Sequence, residues 1–313
     1  MRVATLDIGT NSVLLLIAEP GPHGLVPLFE RATITRLGEG VDRTKQLAAS
    51  ARERTLRCAE EYARDIERFG VTRAAAVGTS ALRDAEGGQE FTLELARVLG
   101  FTPQVIAGER EAALTFRGAL SGLTLSGPVI VFDVGGGSTE IVQGDVQAAG
   151  AVAREAVSLD IGSVRLFERH ISADPPRADE LARVRADIEQ ALAGAPRAAP
   201  NVTLVGVAGT VTTLASIALA LDVYDSARVH GARLTRRTVT ELAASLARVP
   251  LAERRTRTGL DPRRADVIVV GAAIVEAVLA WRGAATRGSD ADELVVSDRG
   301  VRFGLAEELL IGH

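Results

Sequence analysis

The chain of 313 residues is 47% hydrophobic and 24% charged, and its formal net charge at pH 7 is −4. This length corresponds to about two domains, and the composition is that of a globular protein in water. The weak negative charge excludes a general attraction to nucleic acid or acidic membranes, and a single cysteine excludes an intramolecular disulfide framework. No secretory signal is visible, so we expect a cytoplasmic protein.

The first part of the chain alternates strand and helix patterns. Apolar runs predict strands, and apolar residues at helical spacing predict helices. Gly70 and Gly100 follow two of these helices, where a glycine commonly ends a helix. The predicted strands are 2–6, 13–18, 26–37, 74–77 and 103–106, and the predicted helices are 47–69, 91–99 and one that begins at Gly108.

After a stretch rich in Gly and Ser at 118–128, the second part repeats the alternation. The run 267–281 is strongly apolar but shorter than the roughly 20 residues of a membrane span, so we expect a buried helix. The predicted strands are a hairpin at 129–142, then 152–157, 202–207 and 294–296, with a turn at Gly144-Asp145 and a loop at 195–200. The predicted helices are 179–193, one after Gly209-Thr210, 235–247, 266–281 and 301–310.

One motif occurs twice, as Asp-Ile-Gly-Thr-Asn-Ser at 7–12 and as Asp-Val-Gly-Gly-Gly-Ser at 133–138, an offset of 126 residues. Each copy lies between two apolar runs, which predicts a strand, a tight turn and a second strand. Successive backbone N–H groups in such a turn form a concavity that suits an anion. The repeat predicts a duplicated α/β fold with a cleft, in which both loops bind a phosphate chain with its Mg²⁺. Asp-Ile-Gly-Ser at 160–163 resembles a third copy, which we interpret as a chance echo because no strand clearly precedes it.

Together these residues resemble the exopolyphosphatase and guanosine pentaphosphate phosphohydrolase (Ppx/GppA) family. The matching pieces, in the family's order, are 7–12, 36–40, 78–83, 108–112, 133–140, 206–210, 264–266 and 297–305. The resemblance implies two duplicated actin-like, ribonuclease H-like domains of the sugar kinase, Hsp70 and actin superfamily, with an interdomain cleft. It implies domain I over residues 1–119 and domain II over 120–313, with the last helix packing back on domain I, in the family's short two-domain form.

The resemblance implies an exopolyphosphatase that removes the terminal phosphate of inorganic polyphosphate, of short chains in particular, with Mg²⁺ or Mn²⁺. It places the general base at Glu111, in the sequence Gly-Glu-Arg-Glu-Ala at 108–112. The family typically has Gly-x-Glu-Glu-Ala here, so Arg110 replaces the first of the paired Glu residues and Glu111 keeps the catalytic second one. A carboxylate that orients and deprotonates water accelerates such a transfer by about 10²–10⁴-fold.

The resemblance also assigns residues to the metal and the substrate. Mg²⁺ prefers one or two carboxylates with phosphate oxygens and water, and Asp7, Asp133 and Glu140 are the expected ligands. An Arg can bind a phosphate with two hydrogen bonds, and the N–H groups at the start of a helix attract anions. The expected phosphate-binding residues are Thr10, Asn11, Ser12, Arg83, Gly135, Gly136, Gly137, Ser138, Thr139, Gly209 and Thr210.

Three other functions remain open at this point. An enzyme of the same family could act mainly on pppGpp, and nothing in the sequence separates pppGpp from polyphosphate. A second alternative is an ATP-dependent kinase of the same superfamily, which the lack of a Walker A motif does not exclude because this superfamily does not use one. The third is a non-catalytic protein that binds polyphosphate or (p)ppGpp. Family members often dimerise, so a homodimer is a possible state. We expect neither a nucleic acid nor a membrane as a partner.

Overall fold

The computed structural model of the chain describes residues 1–22, 24–148, 150–196, 201–283 and 293–311. The chain forms two compact units. Unit 1 consists of Met1–Gly122 and Gly300–His313, and unit 2 of Leu123–Arg299. Part of the loop expected at 195–200, residues 197–200, lies outside the described residues.

Unit 1 contains one mixed sheet of five strands. The strand order is β3-β2-β1-β4-β5, in which β2 is antiparallel to both β1 and β3, while β4 is parallel to β1 and β5. The strands are β1 (Val3–Ile8), β2 (Ser12–Gly21), β3 (Gly24–Ile34), β4 (Arg73–Gly78) and β5 (Gln104–Val105). The helices are α1 (Val41–Thr44), α2 (Ala49–Arg68), α3 (Ser80–Asp84), α4 (Gly88–Leu99), α5 (Gly108–Leu120) and α13 (Val301–Ile311).

Unit 2 contains a mixed sheet of six strands. The strand order is β10-β11-β9-β6-β7-β8. The strands are β6 (Gly127–Val134), β7 (Thr139–Gln147), β8 (Gly150–Leu159), β9 (Thr203–Val207), β10 (Arg233–Thr235) and β11 (Glu293–Val296). The helices are α6 (Ser163–His170), α7 (Ala178–Leu192), α8 (Ala208–Ala218), α9 (Ser226–Val229), α10 (Arg236–Arg248), α11 (Leu251–Arg254) and α12 (Ile268–Gly283).

The two sheets share one topology. In unit 1 the antiparallel meander β1-β2-β3 continues through β4 and β5, which are parallel to β1. In unit 2 the meander β6-β7-β8 continues through β9 and β11, which are parallel to β6. Unit 2 adds β10 at the far edge, antiparallel to β11. This repeated order confirms the duplicated α/β fold of the actin-like, ribonuclease H-like class.

Each unit has an apolar core of its own. Tyr62 and Phe91 are among the fully buried side chains of unit 1. In unit 2 the helix α12 lies in the core, and its residues Val270, Ile274 and Val278 have no exposed surface. The apolar run at 267–281 is therefore a buried helix, as predicted. Within the described ranges, no helix has the length and hydropathy needed to cross a membrane.

Two sequence predictions in unit 2 are wrong. Gly144-Asp145 is not a turn, because β7 continues through both residues with an irregular register between Gln143 and Gly144. Glycine next to aspartate suits a turn and a β-bulge equally. The segment 160–163 does follow a strand, since β8 ends at Leu159, and it leads into α6. The expectation that no strand precedes this segment is therefore wrong, although a helix and not a second strand follows it.

Helix α13 packs against α5 in unit 1 with almost no space between the two backbones. A Cβ atom at Gly304 would overlap the carbonyl group of Leu114, and one at Gly118 would overlap the carbonyl of Gly300. The contact thus requires glycine at one position on each helix.

We predict that Gly304→Ala destabilises the protein. The higher helix propensity of Ala favours the variant by about 1 kcal/mol, but overpacking against a backbone that cannot move aside costs about 1–3 kcal/mol. Together the two effects should lower the free energy of unfolding in urea by up to about 2 kcal/mol. The control is Gly300→Ala, whose Cβ would meet no atom within 4 Å. Equal stability of Gly304→Ala and wild type would contradict the prediction.

Glu180 is a fully buried carboxylate in the first turn of α7. It accepts hydrogen bonds from the backbone N–H of Arg177 (2.9 Å) and from the hydroxyl and N–H of Ser172 (2.7 and 3.0 Å). The bond from Arg177 and those from Ser172 favour the charged form and lower the pKa of Glu180 from 4.5 to about 2. The carboxylate ties the start of α7 to the preceding loop.

We predict that the carboxylate of Glu180 makes the free energy of unfolding depend on pH in the acidic range. The pKa is lower in the folded state, so the stabilisation is complete above pH 4.5 and is lost as the pH falls towards about 2. Glu180→Gln should therefore be less stable than wild type at pH 7, and the difference should shrink between pH 4.5 and 2. Urea unfolding across this range tests it, and a difference that does not change with pH would argue against it.

Candidate functional site

The first copy of the repeated motif forms a tight turn between β1 and β2, which we call loop 1 (residues 9–12). The N–H of Gly9 donates to the carbonyl of Ser12 at 3.0 Å. Asp7 lies on β1, two residues before the turn, and its cross-strand partner on β2 is Leu14. The buried hydroxyl of Thr10 forms a hydrogen bond of 2.7 Å with that of Ser80 on α3.

Two backbone carbonyls of loop 1 accept hydrogen bonds from residues 35–38. The carbonyl of Thr10 accepts from the N–H of Gly38 at 2.9 Å, and the carbonyl of Asn11 accepts from the N–H groups of Thr35 and Arg36 at 3.1 and 3.0 Å. The carbonyl and the following N–H of a trans peptide point in opposite directions. The N–H groups of Asn11 and Ser12 therefore point away from residues 35–38.

The second copy forms the same turn between β6 and β7, which we call loop 2 (residues 135–138). The N–H of Gly135 donates to the carbonyl of Ser138 at 3.0 Å, as Gly9 does to Ser12. A Cβ at either glycine would lie 3.1 Å from the same serine carbonyl. The two turns, which lie 126 residues apart in the sequence, thus have the same backbone hydrogen bond and the same close approach of glycine to a serine carbonyl.

Three backbone carbonyls of loop 2 accept hydrogen bonds from residues at the start of α6. Those of Gly135 and Gly136 accept from the N–H groups of Ser163 and Val164, each at 2.9 Å. The carbonyl of Gly137 accepts from the side-chain Nε of Arg165 at 2.6 Å. The N–H groups of Gly136, Gly137 and Ser138 consequently point away from α6. In the described part of the chain, no backbone carbonyl outside the regular helix and strand bonds accepts from these three amides, and successive amides of this kind suit an anion.

Two carboxylates lie directly opposite each other beside loop 2. Asp133 on β6 and Glu140 on β7 are cross-strand partners, so their side chains lie on one face of the sheet. Asp133 is 8% exposed and Glu140 1% exposed, and Ser158 donates its hydroxyl to Glu140 Oε1 at 2.7 Å. Thr139 lies between loop 2 and Glu140 in the sequence, and its hydroxyl donates to the carbonyl of Ile161 at 2.7 Å.

This donor set fits a divalent cation bound in part by other ligands. Two carboxylates on one face match the number that Mg²⁺ takes from a protein when phosphate and water supply the rest. Among the described residues, no group of three or more His, Cys, Asp and Glu could hold a metal ion. The third expected ligand, Asp7, belongs to unit 1, where its cross-strand partner is Leu14 and not a second carboxylate.

The turn Gly209-Thr210 lies at the junction of β9 and α8, as predicted. The hydroxyl of Thr210 donates to the carbonyl of Val134, the last residue of β6, at 3.4 Å. The preceding residue, Ala208, has φ 68°, a left-handed conformation that is strained for a residue with a Cβ. A Cβ at Gly209 would overlap the guanidinium of Arg264, whose pKa is lowered by burial. A glycine is therefore needed at the start of α8.

Glu111 is a buried carboxylate, 7% exposed, in the first turn of α5. Arg83 on α3 donates from one nitrogen, Nη1, to Glu111 Oε2 and to the carbonyl of Ile106, both at 3.1 Å. The neighbouring Arg110 points elsewhere, since it forms an exposed ion pair with Glu308 on α13. The cation beside Glu111 is thus Arg83 and not its neighbour in the sequence.

Within each unit, hydrogen bonds and strand pairing connect the residues that the sequence predicted for the site. In unit 1, α3 joins loop 1, through Ser80 and Thr10, to Arg83 and Glu111. In unit 2, β6 joins loop 2 and Asp133 to Thr210. Sequence analysis did not identify Arg165, although the motif at 160–163 that precedes it was the available signal.

The repeated sheet and its two glycine-bearing turns define an actin-like α/β protein with one such loop in each unit. A model of the Ppx/GppA phosphatase family matches residues 16–310. The chain belongs to this family.

Individual relatives cover nearly the whole chain. It is 38% identical to Exopolyphosphatase 2 of Mycobacterium tuberculosis over 321 aligned positions, with 98% of each chain covered. The crystal structure of the Ppx/GppA family member of Aquifex aeolicus is 36% identical, with a TM-score of 0.81 over 100% of this chain and 99% of that one. An exopolyphosphatase structure from Cytophaga hutchinsonii has a TM-score of 0.86 at 24% identity over 100% and 98% of the two chains, which shows a shared fold.

We predict that Arg83 and Glu111 are energetically coupled. Arg83→Met leaves a buried carboxylate without its guanidinium, and Glu111→Gln removes the charge that the guanidinium contacts. A double-mutant cycle on the free energy of unfolding should give a coupling of about 1–2 kcal/mol. Arg110→Met combined with Glu111→Gln is the control pair and should be additive. A coupling within error of zero for Arg83 would mean that the ion pair does not contribute to folding.

Proposed function

We propose that this protein is an exopolyphosphatase that hydrolyses the terminal phosphate of inorganic polyphosphate. The family assignment and the 38% identity to a protein named Exopolyphosphatase 2 support the reaction class. The observation that carries the proposal is the buried carboxylate of Glu111, held by Arg83 at the start of α5. A fixed, nearly water-excluded carboxylate is the type of group that can orient a water molecule and accept its proton.

In the proposed reaction Glu111 accepts a proton from the attacking water. The water oxygen forms a bond to the terminal phosphorus while the bridging P–O bond breaks, and the electron pair of that bond leaves with the shortened chain. The products are orthophosphate and a polyphosphate with one unit fewer. Arg83 holds the carboxylate in one orientation through its bond to Oε2, and positioning of this kind provides much of the catalysis of phosphoryl transfer.

The loops would bind the substrate through their amides. In loop 2 the N–H groups of Gly136, Gly137 and Ser138 point to one side, and phosphate oxygens are suitable acceptors for them. We propose the same role for Asn11 and Ser12 of loop 1, with Thr10, Gly135, Thr139, Gly209 and Thr210 as further contributors. These interactions stabilise the negative charge of the substrate and of the transition state.

We propose Mg²⁺ or Mn²⁺ as the cofactor. Asp133 and Glu140, which face each other in unit 2, would hold it, and a role for Asp7 stays a prediction from the sequence. When bound, such an ion neutralises phosphate charge and orients the reacting group. Replacing Asp133 and Glu140 by their amides would remove the charge that attracts the cation.

We predict that Glu111→Gln lowers kcat for phosphate release from polyphosphate by about 10²–10⁴-fold, because the amide cannot accept the proton of the water. The matched control is Glu109→Gln, an exposed position two residues earlier in the same turn, which should retain wild-type activity. Phosphate release is measured with Mg²⁺ present. Wild-type turnover by Glu111→Gln would exclude Glu111 as the base.

A substrate panel separates the proposed activity from its alternatives. It compares polyphosphates of several lengths, pppGpp and ATP, each with and without Mg²⁺. Release of phosphate from short polyphosphate at the highest kcat/KM supports the proposal, and a preference for pppGpp would reassign the enzyme. Binding without any phosphate release would instead indicate a polyphosphate or (p)ppGpp sensor. A homodimer and a cytoplasmic location stay predictions.

A further inference from the structure

We propose that Arg165 is a positioning residue for loop 2, in that its buried guanidinium holds the carbonyl of Gly137 and thereby directs the N–H of Ser138 towards the phosphate site. Arg165 is 9% exposed, and its Nε donates to the Gly137 carbonyl at 2.6 Å. A cation that donates to a carbonyl forms a stronger hydrogen bond than a neutral donor does. The inference rests on the proposed function for the identity of the bound phosphate.

Comparison of the two loops supports this role. The carbonyls of Thr10 and Gly136 occupy equivalent positions. The first accepts the backbone N–H of Gly38 at 2.9 Å, and the second accepts those of Val164 and Arg165 at 2.9 and 3.0 Å. The next carbonyl differs between the units. In loop 1 it is that of Asn11, which accepts two backbone N–H groups, whereas in loop 2 it is that of Gly137, which accepts the Arg165 side chain. Arg165 therefore replaces the backbone donors of loop 1.

The composition of loop 2 makes this support necessary. Three consecutive glycines can adopt many backbone conformations, so the sequence of loop 2 does not fix the direction of its amides. Bonds to the carbonyls of Gly135, Gly136 and Gly137 select one conformation. Two of these bonds come from side chains, namely from the hydroxyl of Ser163 to the carbonyl of Gly135 at 3.2 Å and from Nε of Arg165 to that of Gly137 at 2.6 Å. The carbonyl of Gly135 also accepts the backbone N–H of Ser163 at 2.9 Å, so a substitution of Ser163 leaves it bonded, whereas the bond to Gly137 is lost with the Arg165 side chain.

The start of α6 lies so close to loop 2 that Gly162 also affects the position of the loop. A Cβ at Gly162 would overlap the carbonyl of Gly136 and would lie 2.6 Å from the carbonyl carbon of Gly137. Gly162 has φ −148°, which any residue can adopt, so close packing and not backbone conformation requires glycine. Gly162→Ala would therefore displace loop 2 without removing a charge or a hydrogen-bond donor.

The test compares Arg165→Met with wild type in steady-state hydrolysis of a short polyphosphate. We expect KM to rise about tenfold while kcat changes less than about threefold, because amides that bind phosphate equally in substrate and transition state affect binding alone. Arg165→Lys retains a donor and should recover most of the affinity. The matched control is Arg169→Met on the same helix, whose guanidinium contacts Asp187 of α7, and it should keep the wild-type KM.

Gly162→Ala should raise KM in the same manner. If Arg165→Met and Gly162→Ala both show the wild-type KM and differ from wild type only in a lower unfolding temperature, Arg165 is a structural residue and the inference is wrong. Failure of Arg165→Lys to recover any affinity would also contradict a role as a hydrogen-bond donor.

Binding of inorganic tripolyphosphate separates this inference from the proposed function. The measurement is the rise in unfolding temperature on adding ligand. If wild type binds tripolyphosphate but hydrolyses no polyphosphate, and Arg165→Met weakens the binding, the proposed function fails and the positioning role stands. If wild type hydrolyses polyphosphate while Arg165→Met leaves binding and KM unchanged, the function stands and the role fails. A wild type that neither binds nor hydrolyses overturns both.

Discussion

The geometry of both loops depends on the direction of their peptide groups. A planar trans peptide places its carbonyl and its N–H on opposite sides. When the carbonyls of a loop accept hydrogen bonds from residues on one side, the N–H groups of the same peptides therefore point to the other side. Residues 35–38 provide that flank for loop 1, and the first turn of α6 provides it for loop 2. Without these bonds a glycine-rich turn would be one conformation among many, and its amides would not converge.

Duplication has given the two units the same backbone but different side chains. Loop 1 and loop 2 close with the same hydrogen bond at the same distance. Asp7 and Asp133 are equivalent, yet Asp7 faces Leu14 across the strands whereas Asp133 faces Glu140. The buried base candidate Glu111 occurs in unit 1. The candidate cation ligands that face each other are therefore in unit 2 and the candidate base is in unit 1, although both units contain the same order of strands.

Local patterns in the sequence predicted the strands and the two loops well, because apolar runs and Gly-bearing turns are properties of neighbouring residues. The same patterns could not separate a bulge at Gly144 from a turn, since both tolerate glycine. These local patterns could not predict contacts between residues that are distant in the sequence. Arg110 is the cation next to Glu111 in the sequence, whereas the folded chain places Arg83 beside the carboxylate. The contact of Arg165 with Gly137 depends on where β8 ends, and the predicted strand stopped at residue 157 whereas β8 continues to Leu159.

The position of α13 has a consequence for how the protein is made. Phe303 and Ala306 of this helix complete a buried cluster with Val3 and Leu16 of β1 and β2. A ribosome releases β1 and β2 before unit 2, but the helix that covers them emerges after all of unit 2. Unit 2 can therefore reach its final packing before unit 1 does. The nascent first sheet must carry an uncovered apolar face while unit 2 is being synthesised, which is the type of surface that chaperones bind.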